Sequence, residues 1–173
     1  MEIERKFWIH KLPDLAEESC SDIYQGYLCT APVELRIRKW QDRRTGQIHY
    51  QLCVKSIGKL SRHEVETELS QGQFDELAGM LEQPLIHKEY HTYRLSDGYL
   101  LECSIVDGGV FSYAEVEFAS EEEAIQWEPL DCLGRETTYE PGISMRDYWN
   151  NRKRNWSDQE TGIRNEMNGP SEL

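Results

Sequence analysis

Glutamates recur at every second position of the sequence in four places: 2/4, 64/66, 66/68 and 115/117. In an extended strand, alternate side chains share one face and lie about 7 Å apart, so each pair puts like charges side by side. Such a face repels itself unless cations lie between the carboxylates. Carboxylate oxygens bind hard cations such as Mg²⁺ or Mn²⁺ in preference to zinc or copper. The spacing therefore indicates a metal site with oxygen ligands.

Basic side chains follow the same alternation in other segments. Arg36 and Arg38 alternate in LRIRKW, and Lys88 and Arg94 share a parity in HKEYHTYR if no bulge intervenes. Arginine forks grip phosphate oxygens, and lysines act as point charges. Carboxylates and basic groups on neighbouring strands are what a phosphate chain bridged to carboxylates by a divalent cation requires.

A simpler interpretation applies to each strand taken alone. A half-exposed antiparallel strand presents a charged face to water and an apolar face to the core. Glutamate is a poor strand former, however, so its repetition favours a role beyond solubility. From the residues alone, both interpretations stay open.

The elements that would position these residues are mostly strands. Alternating polar and apolar residues predict strands near 2–9, 22–28, 33–40, 47–55, 61–69, 87–95, 98–106 and 112–118. Eight strands are enough to close a barrel. Helical periodicity predicts helices over 73–82 and 120–127, packed outside the sheet. A third helix is predicted to begin near Ser144 and to carry MRDYWNNRKRNW.

Composition limits the class of protein. The 173 residues predict one domain over 1–156 and a polar, flexible tail over 157–173. A net charge of −13 argues against nucleic-acid binding, and the lack of a long apolar run argues against a membrane span. The charged N-terminus lacks the layout of a secretory signal, so we expect a cytoplasmic protein, either a monomer or a homodimer. Five cysteines without zinc-site spacing predict reduced thiols that mostly fill the core.

Seven motifs, in order along residues 2–118, resemble those of a known family. The segment EIERK at residues 2–6 resembles the ExExK signature of the CYTH domain, also called the triphosphate tunnel metalloenzymes. The segments that follow are LRIRKW, CVKS, RHEVETEL, HKEYHTYR, LLECS and AEVEF. A short ExExK is a weak signal alone, but seven ordered matches are specific.

The resemblance implies an α+β, mainly β protein, in which a closed eight-stranded antiparallel barrel has a charged interior and a few helices outside. It implies Mg²⁺ or Mn²⁺ ligands at Glu2, Glu4, Glu66, Glu115 and Glu117, with Glu102 in a supporting position. It implies triphosphate contacts at Lys6, Arg36, Arg38, Lys55, Arg62, Lys88 and Arg94. The catalytic residues it implies are Glu64 and Glu66, either of which would orient water, and Lys6.

The activity implied by the resemblance is metal-dependent hydrolysis of a small triphosphate, with inorganic tripolyphosphate favoured as the substrate. Thiamine triphosphate and nucleoside triphosphates stay open, and no partner beyond such a small molecule is expected. A second hypothesis is an adenylate cyclase that makes cyclic AMP from ATP. A third is a non-catalytic module that binds polyphosphate or a nucleotide. Tyr90, Ser104 and Gly142 depart from the family pattern, which bears on substrate choice.

Overall fold

Strands dominate the computed structural model, which describes residues 2–152. The strands in this range are β1 (Glu2–Trp8), β2 (Glu17–Cys29), β3 (Glu34–Asp42), β4 (Ile48–Lys55), β5 (Ser61–Arg62), β6 (Glu64–Glu68), β7 (Ile86–Arg94), β8 (Leu100–Val106) and β9 (Phe111–Glu117). The helices in this range are α1 (Gln71–Ala78), α2 (Glu121–Gln126) and α3 (Met145–Asn151). The predicted mainly β class is confirmed.

The strands form one antiparallel sheet in the order β5-β1-β9-β8-β7-β2-β3-β4-β6. Its two edge strands, β5 and β6, are consecutive in the chain and are separated only by His63. β5 pairs with β1, and β6 pairs with β4, so this one segment joins the two edges of the sheet. The sheet is therefore a nearly closed barrel, as predicted.

The strand expected over 61–69 is broken at His63, so the described chain has nine strands where eight were expected. The carbonyl of His63 accepts a hydrogen bond from the amide of Ser56, and the amide of His63 donates to the Ser56 hydroxyl. The turn after β4 thus uses both backbone groups of His63. The segment changes its partner from β1 to β4 at this point.

β2 begins at Glu17, well before the predicted start at residue 22. Its first residues, EESCS, lack the apolar alternation by which a strand is recognised in sequence. Pairing with β7 provides the backbone hydrogen bonds of this part, with a register shift between Glu17 and Ser19. The neighbouring strand, rather than local sequence, extends β2.

The two faces of the barrel wall differ in chemistry. On the outer face of β1, β7, β8 and β9 lies the apolar core, in which Phe7, Leu101 and Val116 are almost fully buried. Ala124 of α2 and Trp127 belong to this same core. Since the apolar side chains point outward and are covered there, the inner face can carry charge.

Side-chain caps determine where α1 and α2 begin. Ser120 caps α2, as predicted, by accepting a hydrogen bond from the amide of Glu123. Ser70 and Gln73 form a capping box that starts α1 two residues earlier than the predicted residue 73. Among residues 2–152, none of the helices is both long and apolar enough to cross a membrane.

The described chain divides into two units after residue 140. The first contains the barrel, α1 and α2. The described part of the second contains α3, which begins after Ser144 as predicted, with a capping box between Ser144 and Asp147. The predicted tail over 157–173 and the last residues of the predicted third helix lie outside the described residues.

Candidate active site

Charged residues from neighbouring strands face one another inside the barrel. Residues that are opposed in an antiparallel register point to the same face, with Cβ atoms about 5 Å apart. Opposed charged pairs of the interior include Glu2/Arg62, Glu4/Glu117, Lys6/Glu115, Lys55/Glu64, Glu34/Lys55 and Glu102/Glu115. The alternation seen in the sequence thus brings acidic and basic residues together in the interior.

Three cations hold Glu2 and Glu4. Lys55 Nζ lies 2.5 Å from Glu2 Oε1, and Arg62 Nε donates to Glu2 Oε2 at 2.8 Å. Lys6 Nζ lies 2.8 Å from Glu4 Oε1, and Arg62 pairs with Glu4 as well. Burial alone would raise the pKa of Glu4, but Lys6, Arg62 and Lys55 lower that pKa far below its usual value. Glu4 therefore stays ionised although it is almost completely buried.

The cations of this cluster are held in their charged forms in the same way. Lys6 lies between the carboxylates of Glu4 and Glu115. Burial opposes its charge, but Glu115 and Glu4 raise the pKa of Lys6 well above its usual value. Burial also opposes the charge of Arg62, whose pKa is raised by Glu4 and Glu2. Charged groups of both signs thus attract one another in an interior with little water, where such attraction is stronger than in solution.

A second group of cations surrounds Glu64. Its Oε1 accepts a hydrogen bond from the Cys53 thiol at 2.9 Å and lies 3.1 Å from Lys55 Nζ. The guanidinium groups of Arg36 and Arg38 lie 3.9 Å and 3.8 Å from the same oxygen. Burial raises the pKa of Glu64, but the Cys53 hydrogen bond and Lys55 bring that pKa below its usual value. Glu64 is thereby positioned as an ionised hydrogen-bond acceptor.

Glu66 lies at the edge of this second group. Arg38 donates to Glu66 Oε1, and Gln51 donates to Glu66 Oε2, each at 2.8 Å. Donor atoms of Glu66, Glu64 and Cys53 lie within 4.8 Å of one another. Two carboxylates and one thiol are therefore close enough to share an ion.

A cavity of about 380 Å³ opens beside Arg38 and Glu66. Trp40, His49 and Tyr50 contribute to its walls. Arg38 and Glu66 of the charged group therefore also line an open cavity.

Lys88 lies on the wall formed by β7, β8 and β9. Its Nζ donates to Tyr113 Oη at 3.1 Å. Burial lowers the pKa of Lys88 to about 7. On the same wall, burial raises the pKa of Glu102 to about 7, although a hydrogen bond with Tyr90 opposes the rise. One cation and one carboxylate of the interior thus titrate near neutral pH.

The acidic residues of the interior suit a hard divalent cation. Glu4 and Glu117 are opposed in the register, and like charges in that position repel. Burial, followed by the charges of Glu2 and Glu4, raises the pKa of Glu117. Glu117 therefore lies near like charges on this wall. Its carboxylate oxygens are the donors that Mg²⁺ and Mn²⁺ prefer.

Arg94 lies apart from the other residues that the sequence assigns to the site. It is the last residue of β7, about 20 Å along the strand from Lys88 at the usual rise per residue. Its side chain is 55 % exposed and pairs with Glu18 at 3.2 Å. The structure thus brings together the predicted phosphate contacts of the interior but not Arg94.

Several interior residues were not predicted from sequence. Glu34, Cys53 and Tyr113 each share a parity with a predicted site residue of the same strand, and that signal could have identified them. Tyr27 is buried opposite Arg36. The residues before it that share its face in the middle of β2 are uncharged. Tyr27 therefore had no comparable signal.

Comparison with known proteins bears on the family and the fold of the chain. No family model matches the chain. The inorganic triphosphatase of Nitrosomonas europaea is 35 % identical over 141 residues, which cover 79 % of this chain and 89 % of that protein.

Solved structures share the fold. The crystal structure of the inorganic triphosphatase NE1496 matches with a TM-score of 0.59 and 30 % identity, over 85 % of this chain and 93 % of that chain. The PH1819 protein of Pyrococcus horikoshii OT3 matches in fold, with a TM-score of 0.50 and 21 % identity, over 71 % of this chain and 81 % of that chain. The match covers most of the Nitrosomonas europaea protein, and the motif residues line the barrel. The chain therefore belongs to the CYTH, or triphosphate tunnel metalloenzyme, family.

Proposed function

We propose that this chain hydrolyses a small triphosphate and that inorganic tripolyphosphate is its favoured substrate. The observation that carries the proposal is the buried group of Lys6, Lys55 and Arg62, set among carboxylates inside the barrel. The curated relative and the solved structure, both named inorganic triphosphatase, support hydrolysis over the cyclisation of ATP.

Substrate binding would use the basic residues of the interior. They are Lys6, Arg36, Arg38, Lys55, Arg62 and Lys88. Arginine forks match pairs of phosphate oxygens, and lysines add charge at single oxygens. Burial strengthens each attraction compared with water. We leave Arg94 out of this set because it lies at the far end of β7, where it pairs with Glu18.

We assign the metal ligands to interior glutamates. They are Glu2, Glu4, Glu66, Glu115 and Glu117, and the ion would be Mg²⁺ or Mn²⁺. When bound, such an ion neutralises charge on phosphate oxygens as a Lewis acid. Glu102, which hydrogen-bonds with Tyr90, would take a supporting position beside this ligand set.

The reaction is attack of a water oxygen on a terminal phosphorus, in line with the bond to the bridging oxygen that breaks. From tripolyphosphate the products are orthophosphate and pyrophosphate. Glu64, held by Cys53 and Lys55, would accept a hydrogen bond from the water, and Glu66 is the alternative. Lys6 would stabilise the charge on the oxygens of the transferred phosphoryl group.

Product analysis from parallel incubations tests this proposal. Tripolyphosphate, thiamine triphosphate and ATP are each incubated with the protein and Mg²⁺, Mn²⁺ or EDTA. We expect orthophosphate from tripolyphosphate with a metal ion and none with EDTA. Cyclic AMP and pyrophosphate from ATP would identify a cyclase instead, and binding without turnover of any substrate would identify a non-catalytic module.

A further inference from the structure

A second group of donors lies on the outer face of the barrel wall, on β2 and β7. Cys20 and His91 are opposed in the register of these strands. Their sequence neighbours Ser21 and Tyr90 are also opposed, and that pair faces the interior where Tyr90 meets Glu102. Cys20 and His91 therefore point away from the charged interior, and a site built on them is separate from the proposed active site.

Glu17 completes this group. Its Oε1 lies 2.6 Å from His91 Nδ1. Each of Glu17, Cys20 and His91 offers one donor atom, and these three atoms lie within 4.8 Å of one another. The register shift between Glu17 and Ser19 lets β2 present both Glu17 and Cys20 on the face of His91. Three different ligand types thus meet on adjacent strands.

The imidazole of His91 is poorly satisfied by the protein. Its side chain is only 9 % exposed, and Nε2 is buried with no hydrogen-bond partner within residues 2–152. A buried polar atom without a partner costs free energy, so it is uncommon in native proteins. An ion bound at Nε2 would supply the partner that the protein does not provide.

We infer that Glu17, Cys20 and His91 form a binding site for a divalent ion of the zinc class on the outer face of β2 and β7. Thiolate, imidazole and carboxylate are the ligand types of tetrahedral Zn²⁺, whose bonds of about 2.0 to 2.3 Å place ligands about 3.5 Å apart. Donor atoms of the three residues lie within 4.8 Å of one another, and Glu17 would move away from Nδ1 of His91 in order to bind the ion. Glu17, 38 % exposed, leaves a route from solvent and a fourth position for water.

The neighbouring charges permit such an ion. Arg43 interacts with Cys20, and its guanidinium is held by Asp22 at 2.7 Å and Glu89 at 3.1 Å. Its positive charge is therefore balanced by two carboxylates. When the ion binds, the Cys20 thiol releases its proton to solvent and the sulfur lone pair forms the bond to the metal.

This site differs in chemistry from the interior glutamates. The interior offers mainly carboxylate oxygens, which suit Mg²⁺ or Mn²⁺, whereas a thiol with an imidazole selects softer ions. An ion at the outer site would link β2 to β7. We expect it to stabilise the fold and to leave hydrolysis in the barrel unaffected.

Co²⁺ titration of the full-length protein tests the inference, because bonding of a thiolate to Co²⁺ produces a near-ultraviolet charge-transfer band. We expect one equivalent of Co²⁺ to give this band in the presence of excess Mg²⁺, and Zn²⁺ to abolish it. Cys20→Ser should lose the band, and His91→Gln should weaken binding at least about tenfold. Cys132→Ser, which changes an exposed cysteine, should keep the band unchanged.

Cys53→Ser separates the outer site from the thiol inside the barrel. A band that is lost in Cys53→Ser and kept in Cys20→Ser would place the ion in the interior and overturn the inference. The absence of any band in the wild-type protein would overturn it as well. Circular dichroism checks that each variant is folded, and tripolyphosphate turnover by Cys20→Ser reports independently on the proposed hydrolysis.

Discussion

Glu4 of β1 lies directly opposite Glu117 of β9 on the inner face of the barrel. Glu4 has Lys6 and Arg62 as partners, whereas burial and the nearby Glu2 and Glu4 raise the pKa of Glu117. Opposed like charges destabilise an antiparallel pair, so this arrangement costs stability. A cost of this kind on the inner face is understandable if a divalent cation sits between the carboxylates during function.

Replacing Glu117 should therefore separate stability from activity. We expect Glu117→Gln to stabilise the metal-free protein by about 0.5 kcal/mol, because a repulsion is removed. The same change should lower tripolyphosphate turnover at least about tenfold, because a proposed metal ligand is lost. Urea unfolding in EDTA and phosphate release with Mg²⁺ measure the two effects. Glu122→Gln, on α2, is the matched control and should change neither stability nor turnover. If Glu117→Gln were less stable than wild type, repulsion between Glu4 and Glu117 would not be the dominant effect.

Arg38 and Arg94 make a matched pair for the phosphate contacts. Arg38 lies in the interior with Glu64 and Glu66, whereas Arg94 pairs with Glu18 and is 55 % exposed. We expect Arg38→Gln to raise KM for tripolyphosphate about tenfold or more, since charged hydrogen bonds contribute about 1.5 to 3 kcal/mol. Arg94→Gln should stay within about twofold of wild type, as surface ion pairs contribute little. Steady-state kinetics would show the reverse order if Arg94 were the substrate contact.

Cys53 should act as a positioning residue for Glu64. Its thiol donates to Glu64 Oε1 at 2.9 Å, and the side chain is 1 % exposed. Cys53→Ala removes the donor, and we expect kcat to fall about fivefold, the equivalent of about 1 kcal/mol. Cys53→Ser retains a donor and should recover most of this loss. If Ser and Ala variants have equal kcat, the hydrogen bond to Glu64 does not contribute; Cys132→Ala serves as the surface control.

Lys88 should couple substrate binding to proton uptake. Burial lowers its pKa to about 7, so the free protein holds Lys88 mostly neutral at pH 8. A bound anion favours the charged form, and binding at pH 8 should therefore take up a proton that is already present at pH 6. Calorimetry of tripolyphosphate binding in EDTA, in buffers of different ionisation enthalpy, counts the protons. Lys88→Arg, which remains charged at both pH values, should take up fewer protons at pH 8. Equal uptake by both proteins would contradict the assignment of this uptake to Lys88.

The lowered pKa of Lys88 also makes the stability of the protein depend on pH. The folded protein binds fewer protons at Lys88 than the unfolded chain between its folded pKa of about 7 and the ordinary lysine value of about 10.4. Through this group alone, the free energy of unfolding therefore rises with pH across that window.

Alternation predicted the faces of the strands well. Glu2, Glu4 and Lys6 point inward together because side chains alternate strictly in a regular strand, and no bulge disturbs β1 after Glu4. The same rule gave Lys88 and Arg94 a common face. It says nothing about depth along the barrel, so it could not show that Arg94 lies at the far end of β7.

Features that depend on tertiary pairing could not be predicted from local sequence. The break at His63 arises because the turn at Ser56 uses the backbone of His63. The early start of β2 arises because β7 pairs with polar residues that lack a strand pattern. The thiol of Cys53 was expected in the core, and only the register of β4 with β6 brings it to Glu64.

Phosphate release from tripolyphosphate by Lys55→Met, compared with wild type and Lys59→Met, tests the proposed chemistry most directly. Lys55 is buried between Glu2 and Glu64, whereas Lys59 is exposed and donates to the carbonyl of Tyr139. We expect wild type and Lys59→Met to release orthophosphate with Mg²⁺ or Mn²⁺ and not with EDTA, and Lys55→Met to be slower by about 100-fold or more. No release by wild type with either metal ion, or undiminished release by Lys55→Met, would contradict triphosphate hydrolysis inside the barrel.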